Sequence, residues 1–122
     1  MSTNTHSDTG LSALRDALRR FAADRDWNKF HSPKNLASAL AVESAELLEH
    51  FQWLTEEQSA ALDDSTRTKV AEEMADVLLY LIRLADRLDV DLLAVARAKI
   101  VRNGDKYPIE KARGVARKYN EL

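Results

Sequence analysis

The sequence predicts an all-α, four-helix-bundle-like protein, and three observations carry that expectation. Glycine (3) and proline (2) are scarce among the 122 residues and fall where helices should start or stop. Apolar residues recur at spacings of three and four, the period of a helix face and not of a strand. The chain is 45% apolar and of single-domain length, so one hydrophobic core is the default.

A polar leader over residues 1–10 is expected to be disordered, a helical domain to occupy 11–108, and a basic tail to follow over 109–122. Leu11, Leu14, Leu18 and Phe21 form the stripe of a first helix that ends near Arg25. Trp27, Phe30 and His31 lie in a short connection. Ser32 followed by Pro33 supplies an N-cap and a first-turn proline for a second helix running to about Trp53. The polar segment Thr55 to Thr66 reads as a loop, although Thr55 and Gln58 have the spacing of a capping box. A third helix starts after Ser65 or Thr66 and continues to about Leu88, with Val70, Met74, Val77, Leu81, Leu84 and Leu88 as its stripe. The run from Val77 to Ile82 is apolar around the whole circumference, as expected of a helix enclosed by its own bundle and by another subunit. Asp89 or Asp91 caps a fourth helix that Gly104 should end.

Composition excludes several functions. Eighteen basic residues against twenty acidic ones leave a formal net charge of −2, which argues against neutralising a nucleic-acid backbone. With no cysteine, disulfides, thiolate catalysis and zinc–thiolate sites are excluded. Met1 to Gly10 lacks the apolar centre of a secretory signal, and no apolar run approaches the about 20 residues of a membrane span. The expectation is a cytoplasmic protein without a membrane partner.

The chemistry is in the carboxylates. At about 100° per residue, Leu36, Leu40, Leu47, Phe51 and Leu54 define an arc of the second helix with Glu43 in its middle. A buried ionised carboxylate must be neutralised, paired or metal-bound. Glu46 lies one turn on, at the flank of the same stripe. The third helix repeats the spacing with Glu73 and Asp76, and Tyr80 follows one turn beyond. If the two helices pack face to face, four carboxylates converge on a hard-ligand site suited to Mg²⁺ or Mn²⁺. The competing reading is that both pairs are ordinary solvated helix charges, Lys69 pairing with Glu73.

Lys99, Arg102 and Lys106 surround Asn103 at the end of the fourth helix, either as a grip for phosphates and sugar or as charges complementing the helix dipole. Trp27, Trp53 and Tyr80 could sandwich a base or fill core, and His31 has either a structural or a substrate role. A di-iron carboxylate bundle would need Glu-x-x-His pairs, and none occurs.

These residues, in this order, resemble the MazG-like all-α nucleoside triphosphate pyrophosphohydrolases, and more closely their dCTP pyrophosphatase branch. The resemblance runs through Arg25-Asp26-Trp27, Phe30-His31, Asn35-Leu36, Glu43-Ser44-Ala45-Glu46-Leu47 and Phe51-Gln52-Trp53. It continues through Glu72-Glu73-Met74-Ala75-Asp76-Val77-Leu78, Tyr80-Leu81, Lys99, Asn103, Lys106-Tyr107-Pro108 and Arg117-Lys118-Tyr119. It implies that Glu43, Glu46, Glu73 and Asp76 hold magnesium and are the catalytic residues, that Lys99 and Lys106 contact phosphates, and that Tyr80, Asn103 and Tyr107 contact substrate. Trp27 and Trp53 would line the base pocket beside His31. It further implies a homodimer or homotetramer that cleaves a nucleoside triphosphate, dCTP or a modified pyrimidine deoxynucleotide, to the monophosphate and diphosphate. Many MazG-like members carry two adjacent glutamates in the first motif, whereas Val42 precedes Glu43 here, as in the dCTP branch. The alternative is a non-catalytic helical oligomer that binds nucleotide or serves as a scaffold.

Overall fold

The computed structural model describes the backbone of residues 3–122 and the side chains of residues 10–122. Those residues are helical throughout their regular elements, with no strand. Two compact units divide the chain, Met1–Asp89 and Val90–Leu122. The first contains α1 (Thr3–Asp24), a 3₁₀ turn (Asn28–Phe30), α2 (Pro33–Glu49), α3 (Glu56–Ser59) and α4 (Asp64–Arg87). The second contains α5 (Leu92–Lys106), α6 (Ile109–Ala112) and a 3₁₀ turn (Tyr119–Glu121). Of the four long helices, three therefore share the first unit, and α5 with the basic tail makes the second. Among the described residues no helix is long and apolar enough to cross a membrane.

In the first unit α4 packs against both α2 and α1, and Ala22, Leu36, Val70, Ile82 and Ala85 form the buried apolar core. Small residues at Ala22 and Ala85 allow the helices to approach closely. The expected stripe of α4 is only partly inside. Val70 is buried, but Met74 (57%), Leu81 (37%) and Leu88 (53%) are exposed together with Leu78 (42%). A helix held between two neighbours buries two edges and leaves a third free, so one stripe of period 3.6 does not describe it.

Several boundaries move. The α1 backbone is helical from Thr3, within the stretch read from sequence as a leader over residues 1–10, of which Met1 and Ser2 lie outside the described residues. No proline interrupts this stretch, and a single interior glycine costs only about 1 kcal/mol. α2 begins as expected, the Asn35 N–H donating to Ser32 Oγ at 3.1 Å, but it ends at Glu49 and not at Trp53. Residues 50–54 form successive turns without a glycine or proline to announce them. The segment read as a loop contains α3, closed by a full capping box: Thr55 N–H donates to Gln58 Oε1 (3.0 Å) and Gln58 N–H to Thr55 Oγ1 (3.1 Å). α4 starts at Asp64 because Asp63 Oδ1 accepts from Thr66 N–H at 2.7 Å, ahead of Ser65 and Thr66. Asp91 caps α5, and that helix runs through Gly104 to Lys106. Pro108 sets its end by excluding the helical conformation from Tyr107, whose φ and ψ are −121° and 69°.

The end of α1 positions an aromatic. Trp27 N–H donates to Ala22 O (2.8 Å) and Asp26 N–H to Ala23 O (3.1 Å), a Schellman closure with Asp26 in the left-handed region at φ 53°. The closure turns Trp27 back onto Phe21, ring centroids 5.6 Å apart and edge to face. Asp tolerates this conformation and a β-branched residue does not, so Asp26→Val is expected to cost about 1–2 kcal/mol and to loosen Trp27. Asp26→Asn should keep both stability and the Trp27 emission spectrum; thermal unfolding and fluorescence read the difference.

Candidate functional site

Glu43 projects from α2, and Glu73 and Asp76 from α4, where the two helices pack. One carboxylate oxygen from each lies within 4.8 Å of the other two, with Glu43 and Glu73 half-buried and Asp76 exposed. The spacing that places Glu43 in the middle of an apolar arc, and Glu73 and Asp76 three apart on one edge of α4, is what makes them meet. Glu43 Oε2 and Glu73 Oε2 are shut off from solvent and have no hydrogen-bond partner. Orphaned acceptors of one charge at such a distance need either protons or a cation. The Glu43 carboxyl is pushed up to about 7, first by burial and then by the neighbouring carboxyls of Glu46, Glu73 and Asp76. Glu46 therefore sits beside Glu43, half-buried, but it is not part of the close triple. Oxygen-only donors with unpaired buried lone pairs fit a hard divalent cation such as Mg²⁺ or Mn²⁺.

Beside this cluster is a cavity of ≈ 470 Å³, within the usual size of small-ligand sites. Leu14, Ala17, Leu18 and Phe21 of α1 form one wall, and Leu79, Tyr80 and Arg83 of α4 another. Trp27 and His31 close it from the connection between α1 and α2, ring centroids 6.2 Å apart. Asp76 belongs to both features: it lines the cavity and takes part in the acidic triple. An aromatic, largely apolar chamber thus opens next to a place for a cation.

The aromatic wall is braced by an ionic network. Arg83 is buried, and its guanidinium donates from Nε to His31 Nδ1 (3.2 Å), from one terminal nitrogen to Asn28 Oδ1, and from the other to Asp86 Oδ2 (3.4 Å). Asp86 also accepts from Arg19 Nε of α1 at 2.8 Å and from an Arg19 terminal nitrogen. Arg19 holds the Asp86 carboxyl below its ordinary range against the opposing effect of burial. Arg87 Nε donates to the His31 carbonyl at 3.2 Å, and Asn35 Nδ2 to the Phe30 carbonyl at 3.0 Å, which ties the connection to α4 and α2.

Of the residues singled out from sequence, Glu43, Glu73 and Asp76 come together, and Trp27, His31 and Tyr80 meet around the cavity. Trp53 is 87% exposed in the turns after α2 and does not line the cavity, because α2 stops at Glu49 and the following turns carry the ring away from its apolar arc. Lys99, Asn103, Lys106 and Tyr107 all belong to the second unit. There Lys99 and Asn103 are exposed on α5, the Lys106 ammonium lies 4.9 Å from the Tyr119 ring centroid, and Tyr107 meets Tyr119 edge to face at 6.3 Å.

Sequence reasoning missed Phe21, Asn28, Arg83 and the Arg19–Asp86 pair. Phe21 reads as ordinary core at its stripe position, yet it is 44% exposed with the Arg25 guanidinium 3.6 Å over its ring. Arg83 carries a legible signal, a charge set between Ile82 and Leu84 in an apolar run with Asp86 three residues on.

Comparison with known proteins agrees with this geometry. The MazG-like family model matches residues 39–122, the segment that contains the acidic triple. Over 118 residues the chain is 42% identical to dCTP pyrophosphatase 1 of Bos taurus, covering 95% of this chain and 70% of that protein. Against dCTP pyrophosphatase 1 of Homo sapiens it is 44% identical over 114 residues, covering 92% and 67%. A solved pyrophosphatase from Archaeoglobus fulgidus superposes with a TM-score of 0.77 at 39% identity, covering 81% of this chain and 93% of that one. The chain belongs to the MazG-like family.

Proposed function

We propose that this protein is a divalent-metal-dependent nucleoside triphosphate pyrophosphohydrolase acting on dCTP or a modified pyrimidine deoxynucleotide, releasing the monophosphate and diphosphate in a house-cleaning role. The observation that carries the reading is the double membership of Asp76, which sets an aromatic-lined cavity directly beside an acidic cluster. The family relationship, with relatives named dCTP pyrophosphatase 1, supports the reaction and the base.

Glu43, Glu73 and Asp76 would hold the ion, preferably Mg²⁺, with Glu46 beside them. When bound, it supplies charge neutralisation for phosphate oxygens and a lowered pKa for water at the site. The chain's own residues do the rest. Trp27, Tyr80 and Phe21 enclose the base and exclude water from it, which fixes the α-phosphate relative to the carboxylates. Glu46, adjacent to Glu43 but outside the triple, is the residue we assign to orient the attacking water and accept its proton. On the family motif alone, Lys99 and Lys106 are assigned to phosphates, Asn103 and Tyr107 to substrate, and Trp53 to the base. The cytoplasm is the compartment proposed.

A homodimer or homotetramer is part of this reading. Met74, Leu78, Leu81 and Leu88 leave one apolar stripe of α4 uncovered, and Val42 (56%) and Leu48 (59%) are exposed on α2. Apolar patches of this kind mark association surfaces.

The deciding experiment is diphosphate release from a panel of ordinary and 5-modified nucleoside triphosphates with and without Mg²⁺. Mg²⁺-dependent release from dCTP or its modified relatives is expected; release from purine nucleotides alone, or none, would remove the assignment. In the same assay Trp27→Ala should raise KM for the preferred nucleotide by about tenfold, the lower-middle range for lost aromatic stacking, and leave kcat near its original value. An unaltered KM would reduce Trp27 to packing.

A further inference from the structure

We propose that Arg83 is a positioning residue for base recognition: its Nε–H holds the His31 ring as the neutral Nε2–H tautomer, so that His31 offers the cavity a single N–H donor for an acceptor atom of the bound base. This inference rests on the pyrophosphohydrolase reading for its substrate and on the hydrogen-bond geometry for everything else.

A guanidinium has N–H donors and no acceptor. With Arg83 Nε donating to His31 Nδ1 at 3.2 Å, that ring nitrogen must present its lone pair, and the ring proton of the neutral form must reside on Nε2. The other arms of Arg83 are anchored by Asn28 Oδ1 and Asp86 Oδ2, and Asp86 is itself held by Arg19, so the donor cannot swing away from the ring. Arg87 fixes the same residue by its backbone, donating to the His31 carbonyl at 3.2 Å. Ring and main chain of His31 are thus set by two arginines of α4, while the ring lines the cavity with Trp27 across from it.

The charged groups around His31 agree. From α4 it faces Arg83 and Arg87, with Asp76 and Tyr80 lining the same cavity; from α1 the cavity wall is Leu14, Ala17, Leu18 and Phe21, none of which titrates. Burial first, then Arg83 and Arg87, lower the His31 pKa, so the imidazole stays uncharged through neutral pH. A neutral ring with one fixed donor recognises a carbonyl oxygen, which every pyrimidine base carries at C2, or an unprotonated ring nitrogen, which cytosine carries at N3. An imidazolium in the same place would instead attract phosphate.

The test uses the full-length protein with ¹⁵N-labelled histidine. Near pH 7 the His31 spectrum is expected to show the proton on Nε2, and its titration midpoint should lie below the ordinary value of about 6.5. Arg83→Met should move that midpoint upwards and raise KM for dCTP by up to about tenfold, the upper end for one hydrogen bond between neutral groups, with little change in kcat. In a His31→Phe background the same substitution should leave KM where His31→Phe alone puts it, since Arg83 acts through the ring. A wild-type proton on Nδ1, an unmoved midpoint and KM, or a full Arg83→Met penalty persisting in His31→Phe would each overturn the proposal. Should Arg83→Met fail to fold, the wild-type tautomer and midpoint decide it. Absence of diphosphate release by the wild-type protein would count against the activity, and the histidine spectrum would then decide the Arg83–His31 assignment by itself.

Discussion

Alanine at Asp76 or at Glu43 is expected to lower kcat for dCTP by more than about a hundredfold, beyond what loss of a residue merely supporting a metal ligand costs, while the circular-dichroism spectrum stays helical. The two positions separate site from scaffold in different ways. Asp76 is exposed, so its removal leaves no hole, and the side chain lost is the one that joins the acidic triple to the cavity. Glu43 has a desolvated, unpartnered oxygen among like charges, so without a cation the native carboxylate opposes folding. Glu43→Gln should therefore be at least as stable as the wild type in chelator and yet inactive. A cation at about 100 times its Kd should stabilise the wild type by about 2.7 kcal/mol, visible as a raised Tm, and should leave the Asp76→Ala protein nearly unmoved. Glu46→Gln belongs in the same series: loss of turnover with the Mg²⁺-dependent rise in Tm intact is the result expected of a residue that handles water and not the ion. Wild-type turnover in Asp76→Ala would remove the acidic triple from the reaction.

What could be seen in the sequence divides along physical lines. Ser32 with Pro33, Asp91, and the capping-box spacing of Thr55 and Gln58 were legible because a cap acts within one turn and needs no tertiary partner. Glu43 was legible because a carboxylate in the middle of an apolar arc contradicts its surroundings, and Glu73 with Asp76 because the same spacing recurs on the helix opposite. Helix ends lacking a glycine or proline were not, as at Glu49, where successive turns replace the helix without any breaker. The stripe of α4 was misread because a helix with neighbours on two sides has no single inward face. Phe21 could not be told from core, since lining a cavity and filling a core ask for the same residue type. Arg83 is the instructive omission: its charge among Ile82, Leu84 and Ala85 is the same kind of contradiction that exposed Glu43, but its partners Asn28 and His31 lie more than fifty residues away.

Acidification should weaken cation binding through Glu43, and the sign follows from where its carboxyl titrates. In the ion-free fold it is pushed up to about 7 from an ordinary 4.5. Between those values the folded protein binds a proton that the unfolded chain does not, so the contribution of this group to stability falls as pH rises through the window. Asp86 behaves oppositely: Arg19 holds its carboxylate below the ordinary range, and the stability it contributes above that range is lost as pH falls through its folded pKa. A cation held by Glu43 would require its carboxylate and would displace the proton. Below about pH 7 its apparent Kd should then rise by about tenfold per pH unit, levelling off above, as for any ligand set deprotonated on binding. Titration calorimetry in two buffers of different ionisation enthalpy reads the proton directly: close to one released per binding event near pH 6, and few near pH 8. The acid-side slope should persist in Glu46→Gln, weakened only as far as Glu46 raises Glu43, and disappear in Glu43→Gln, whose amide has no proton to give up. A Kd that ignores pH between those two values would mean that Glu43 does not meet the cation, and the site would have to be rebuilt on Glu73 and Asp76 alone.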